Sequence, residues 1–199
     1  MSKVKFWLKL DKERILTEGY RKTLTEAFFK NPYTSETTRF IFYDQPNYSV
    51  ILPVTKDGNV ITIRQYYHGW NKILQVLPGG NTNFAEKPEK VAKRELLEET
   101  GYQAQEIIYL GVAPLSVRNS RTYCSLFLAT GCEKIKESLS DNEEMIELVI
   151  MPLKKWIIET LTTIEEAPSR EATYLSLPYL KKYFTLDLNE IFEEARRKK

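Results

Sequence analysis

At 199 residues and 42% hydrophobic, the chain can bury one sizeable core with a small appended subdomain, which excludes two domains of equal size. A formal charge of +2 is too small to imply a nucleic-acid surface, and the basic run at residues 196–199 reads as a solvated tail. No apolar run is long enough to span a bilayer, and MSKVKFWLKLDKER lacks the apolar centre of a signal peptide.

In chain order, residues 4–9 alternate weakly and read as a strand. Over residues 11–29, Ile15, Tyr20, Leu24 and Phe28 recur near helical spacing, and Asn31-Pro32 closes the segment, so a helix is predicted there. Residues 38–43 read as a strand that ends in the turn Asp44-Gln45-Pro46-Asn47. Strands at 49–54 and 60–66 flank Lys56-Asp57-Gly58-Asn59, a hairpin signal, and a strand at 73–77 runs into Leu77-Pro78-Gly79-Gly80. Pro88 suits the first turn of a helix and Gly101 the left-handed residue that ends one, so a helix of about three turns lies between them. Apolar strands follow at 107–113, 122–129 and 146–151. Helices are predicted at 154–163, 170–184 and 188–197, with Ser169 and Asp187 as caps.

The helix after Pro88 carries the chemistry. Glu95 and Glu99 are one turn apart and Glu98 lies beside them, so three carboxylates share one face while Ala92 and Leu96 turn toward the core. Like charges at that spacing repel, and a set of oxygen ligands suits Mg²⁺ or Mn²⁺. Other phosphate and hydrolase chemistry is excluded by absence. His68 is the only histidine, which rules out HExxH; no GxSxG or GxxxxGK[ST] occurs, and Gly79 and Gly80 do not extend to GxGxxG. Cys124 and Cys132 form no CxxC pair, which suits reduced thiols in the cytoplasm.

Residues 80–102, GNTNFAEKPEKVAKRELLEETGY, place Gly80, then Glu86, then Arg94-Glu95-Leu96-x-Glu98-Glu99-x-Gly101-Tyr102. A chance match at every one of these positions is on the order of 10⁻⁷ from ordinary residue frequencies. The segment resembles the Nudix box, and the resemblance covers roughly residues 48–156. It implies an α/β fold, the Nudix-type α/β/α sandwich with a mixed sheet, over residues 46–199, preceded by a small extension at 1–45 that resembles a dimerising subdomain. Residues 43–50, Arg64-Gln65-Tyr66 and Leu77-Pro78-Gly79-Gly80 look like the branch that holds ADP-ribose and nucleoside-diphosphate-sugar pyrophosphatases. Asn83, Ala85, Tyr67 and Val117 depart from that branch's pattern.

The resemblance implies Mg²⁺-dependent hydrolysis of a nucleoside diphosphate linked to another moiety. Gly79 through its carbonyl, Glu86, Glu95, Glu98 and Glu99 are the implied metal ligands, with Glu98 also a water-positioning group. Arg94 would orient a box carboxylate, and Gly80 and Gly101 would shape the motif. Glu144, with Glu143 as the alternative, matches the family's general base on a loop before the strand at 146–151. Arg64 and Arg121 are candidates for the phosphates, and Tyr43, Tyr48 and Tyr67 for stacking on a base. Two rival readings are a non-hydrolytic nucleotide-sugar sensor, against which all box carboxylates are retained, and an RNA-end pyrophosphohydrolase, against which the near-neutral charge weighs.

Overall fold

The computed structural model describes residues 4–83, 85–138 and 145–198. It divides into two compact units, one made of residues 1–47 with 114–123 and the other of residues 48–113 with 124–199.

The first unit is an antiparallel sheet in the order β1 (Leu8–Gly19), β2 (Lys22–Lys30), β3 (Thr37–Asp44). The helix predicted over residues 11–29 is therefore wrong. The apolar spacing there belongs to a hairpin whose turn, Tyr20-Arg21, holds both residues at positive φ, 47° and 60°. That geometry is the tight two-residue turn usually written Asn-Gly, so the turn was not visible by composition. Central β2 is the covered strand, with Thr25, Glu26 and Ala27 buried, while almost all of β1 is exposed. Residues 114–123 return to this unit: the Asn119 carbonyl accepts from Tyr43 N–H (2.8 Å), and Thr122 exchanges two hydrogen bonds with the backbone of Gln45.

The second unit is built on an eight-stranded mixed sheet. Its strands are β4 (Tyr48–Thr55), β5 (Asn59–Tyr67), β6 (Lys72–Val76), β7 (Gly79–Asn81), β8 (Tyr102–Gln103), β9 (Glu106–Pro114), β10 (Tyr123–Lys134) and β11 (Glu147–Pro152). The central path runs β11-β5-β4-β10-β8, with β6 beside β5, β7 beside β4 and β9 beside β10. The β4–β10 pair is parallel, with Val50 opposite Leu126 and Leu52 opposite Leu128.

Alternation along these strands makes the sandwich. Val50, Leu52, Val54, Leu126 and Leu128 point into a core with Trp156, Ile157, Ala172, Leu180 and Ile191, which come from α2 (Leu153–Thr162), α3 (Ala167–Leu180) and α4 (Leu188–Arg197). Ile51, Phe127 and Ala129 point the other way, onto Ala92 and Leu96 of α1 (Pro88–Thr100). The strands are apolar on both faces because both faces are covered. No described helix is long and apolar enough to cross a membrane.

Asp187 caps α4 as the sequence predicts, accepting from Asn189 and Glu190 N–H. Ser169 does not cap α3. The cap is Glu166, whose carboxylate accepts Ser169 N–H at 2.6 Å and starts the helix at Ala167.

Candidate active site

Pro88 opens α1 where no donor is required, and its carbonyl accepts the Ser49 hydroxyl from β4 at 3.0 Å. At the other end Gly101 has φ 77° and its N–H caps Leu97 O. A side chain at Gly101 would run into the Lys136 carbonyl, so both conformation and space demand glycine. The box helix is thus fixed at both ends.

The turn before it is fixed as closely. β7 pairs with β4, Gly79 opposite Val50 and Gly80 opposite Ser49. A Cβ on Gly79 would strike the Ser49 carbonyl, and one on Gly80 would strike the Glu95 carboxylate. Gly79 meets the backbone of β4 and must be glycine, whereas Gly80 meets only the flexible end of the Glu95 side chain.

Arg94 organises the carboxylates. Its Nη1 donates to Glu95 (2.7 Å) and Glu98 (3.0 Å), and its Nε donates to Glu86 (3.4 Å). Burial alone would lower the guanidinium pKa, but Glu86, Glu95 and Glu98 together raise it. The Arg94 hydrogen bond in turn holds the Glu86 carboxyl below the usual carboxylate range, opposed by slight desolvation. Glu99 is buried and turned elsewhere, accepting Gly79 N–H at 2.9 Å. The repulsion expected on the acidic face is thus met by an internal cation one position from Glu95.

In this arrangement no three His, Cys, Asp or Glu side chains converge as a metal would require, among the described residues. Three of the acids are drawn to Arg94 and the fourth to Gly79. Their chemistry still fits a hard divalent cation, since every donor is a carboxylate or carbonyl oxygen, and the side-chain-free Gly79-Gly80 backbone borders the cluster.

Other candidates fall at different places. Arg64 is on β5 and pairs across the strands with Glu147 at 3.5 Å. Arg121 belongs to the first unit, where it binds the Asp44 carboxylate through its backbone N–H and guanidinium, donates to Glu13 (2.8 Å) and lies over the Phe42 ring. Those two acids raise its pKa. Tyr43 is also in the first unit, exposed on β3. Tyr67 ends β5, and half-buried Tyr48 begins β4 with its phenol pKa pushed up by burial. Glu143 and Glu144 lie outside the described residues.

Sequence reasoning gave Ser169 only as a helix cap and missed its tie to the turn. Its hydroxyl is buried on α3 and accepts Leu77 N–H at 2.9 Å, just before the Gly79-Gly80 turn. The sequence separation of 92 between the partners leaves no local signal.

The NUDIX domain family matches residues 44–172, more than half of the chain, and the protein belongs to that family and is a Nudix hydrolase. Among curated relatives, the chain is 28% identical over 142 residues to an ADP-ribose pyrophosphatase of Bacillus subtilis (strain 168), covering 71% of this chain and 73% of the relative. It is 24% identical over 148 residues to the methanol dehydrogenase activator of Bacillus methanolicus, covering 73% and 78%. Its fold matches the crystal structure of an ADP compounds hydrolase with a TM-score of 0.78 at 20% identity, over 92% of this chain and 98% of the other. That share extends into the N-terminal strands.

Proposed function

We propose that this Nudix hydrolase cleaves the diphosphate of a nucleoside diphosphate joined to a second moiety, of the ADP-ribose or nucleoside-diphosphate-sugar class, giving a nucleoside monophosphate and a sugar phosphate. The observation that carries the reading is the set of carboxylates around Arg94 beside the Gly79-Gly80 backbone. The ADP-ribose pyrophosphatase relative supports the substrate class.

Glu86, Glu95, Glu98 and Glu99, with the Gly79 carbonyl, would hold Mg²⁺, or Mn²⁺ in its place. The chemistry supplied by the bound ion is neutralisation of phosphate charge and a bound water of lowered pKa. Arg94 keeps Glu95 and Glu98 oriented, and the partly buried bond from Gly79 N–H fixes one oxygen of Glu99 so that the other is presented in a set direction. Glu144, or else Glu143, takes the proton from the attacking water. Arg64 is exposed on its strand and carries positive charge for the substrate's phosphates, with Tyr67 near the end of the same strand for stacking. In our reading Arg121 is committed to Asp44 and Glu13, which argues against a phosphate role for it. The protein acts as a homodimer through residues 1–45, in the cytoplasm, where the buried free thiols Cys124 and Cys132 stay reduced.

The test is a panel of ADP-ribose, nucleoside-diphosphate sugars and capped RNA with Mg²⁺ or Mn²⁺, products resolved by chromatography. Wild type should release a nucleoside monophosphate from one of the first two groups. Glu99→Gln should lower turnover on the order of 10²–10³-fold, the worth of a few kcal/mol of charge stabilisation. Near-normal turnover in that variant would remove Glu99 from the reaction. A second reading, action on a partner enzyme, is favoured by the methanol dehydrogenase activator relative. It predicts that a partner dehydrogenase changes rate even with Glu99→Gln in place of wild type.

A further inference from the structure

We propose that Ser169 is a positioning residue for the metal-facing turn, acting through Leu77 and Gly79 on Glu99. This rests on the reading of Glu99 as a ligand. The connection is short, buried at Ser169 and Leu77 and partly buried at Gly79. The Ser169 hydroxyl accepts Leu77 N–H at 2.9 Å, the Pro78 carbonyl accepts Ile51 N–H at 3.0 Å, and Gly79 N–H donates to Glu99 Oε2 at 2.9 Å. Three consecutive residues are thus pinned to three different elements, α3, β4 and α1.

Pro78 in the middle has a fixed φ, so the angle at which Leu77 is held is passed to Gly79 with little slack. Gly79 is also the residue whose carbonyl is a candidate ligand. A shift at Leu77 would therefore move two ligating groups together, the Gly79 carbonyl and the Glu99 carboxylate.

Ser169 is suited to be the fixed end. Its N–H is held by Glu166 at 2.6 Å, and its carbonyl accepts the Thr173 hydroxyl at 2.7 Å, which in turn accepts Trp156 Nε1–H at 2.8 Å. Ser169, Thr173 and Trp156 are each fully buried. The hydroxyl is therefore anchored in the α2–α3 core before it touches the turn. A competing role would be purely local, an acceptor for one buried N–H and a hydrogen bond to the Glu166 carboxylate. The two differ in whether Gly79 and Glu99 feel its loss.

The experiment uses full-length Ser169→Ala and Ser169→Thr, with ADP-ribose as substrate probe and Mg²⁺ as metal. In Ser169→Ala the Mg²⁺ concentration for half-maximal rate should rise about tenfold, as for outer-shell partners of metal ligands, with kcat at saturating Mg²⁺ within about twofold. In the metal-free proteins, amide hydrogen exchange should show protection lost at Leu77 and Gly79 together in Ser169→Ala, and regained in Ser169→Thr, which keeps the hydroxyl. Loss at Leu77 alone, or an unchanged Mg²⁺ requirement, overturns the proposal. Should Ser169→Ala not fold, wild type with and without Mg²⁺ decides: protection must rise at Leu77 as well as Gly79, and a rise at Gly79 alone refutes the coupling. If wild type hydrolyses no diphosphate, the functional reading fails, while paired amide protection still reports the connection.

Discussion

A guanidinium shared by three carboxylates keeps an acidic helix from repelling itself, and its removal should be felt before any substrate binds. Arg94→Ala should lower the melting temperature of the metal-free protein, and saturating Mg²⁺ should recover more of that loss than the shift it gives wild type. Equal Mg²⁺ shifts in thermal denaturation of the two proteins would mean that Arg94 and the metal do not compensate the same charges. Glu166 gives a pH test at a site away from the acids. Its carboxyl pKa is raised by burial, against the opposing bonds from Ser169. A raised acid contributes stability that is present below the ordinary carboxylate range and is lost as pH rises through the folded-state value. Glu166→Gln keeps an oxygen for Ser169 N–H without the ionisation, so its stability relative to wild type should improve as pH is raised from about 4 to about 8. A difference that stays flat with pH, read from urea unfolding, would show that burial of this carboxylate carries no charge penalty.

Among the elements, the β1–β2 hairpin is held together across a turn that its residues do not favour. Tyr20 and Arg21 both occupy the left-handed region, at a cost of roughly 1–2 kcal/mol each. Tyr20→Asn with Arg21→Gly should relieve about 1–2 kcal/mol of it and slow amide exchange along β1 and β2 without altering hydrolysis; unchanged exchange would place the turn's cost elsewhere. This turn also explains where sequence reading failed. With no Asn or Gly between the strands, and with Ile15, Tyr20, Leu24 and Phe28 at helical intervals, local pattern favoured one helix over two strands. The box helix was legible for the opposite reason. Its start at Pro88, its stop at Gly101 and the grouping of its acids all depend on residues within a few positions of each other. What the acids hold onto was only partly legible: an Arg94 pairing was expected, but not that one guanidinium would gather Glu86, Glu95 and Glu98 while Glu99 turned to Gly79. Ser169 was legible as a capping type but not as the partner of Leu77, because only the tertiary fold brings α3 to the end of β6.

At the scale of the whole molecule, the first unit presents more apolar surface than a solvated leader should. Phe6, Leu8, Ile15, Leu16 and Tyr20 are exposed, and β1 is exposed along nearly its whole length. A patch of this kind calls for a partner, and a second copy is the simplest one. Light scattering at high micromolar concentration should therefore give twice the 23.3 kDa chain mass, and deleting residues 1–45 should abolish that species. A monomer, or a dimer that survives the deletion, would defeat the proposal and leave the metal chemistry untouched.

The same unit is discontinuous in the chain, and that has a consequence for its birth. Tyr43 and Asp44 leave the ribosome early, whereas Asn119 and Arg121, to which they bond, are made only after β4 to β9. At about 5–20 residues per second the N-terminal strands wait several seconds for their last segment. Throughout that interval three paired strands ride on a growing polypeptide without the segment that bonds the end of β3.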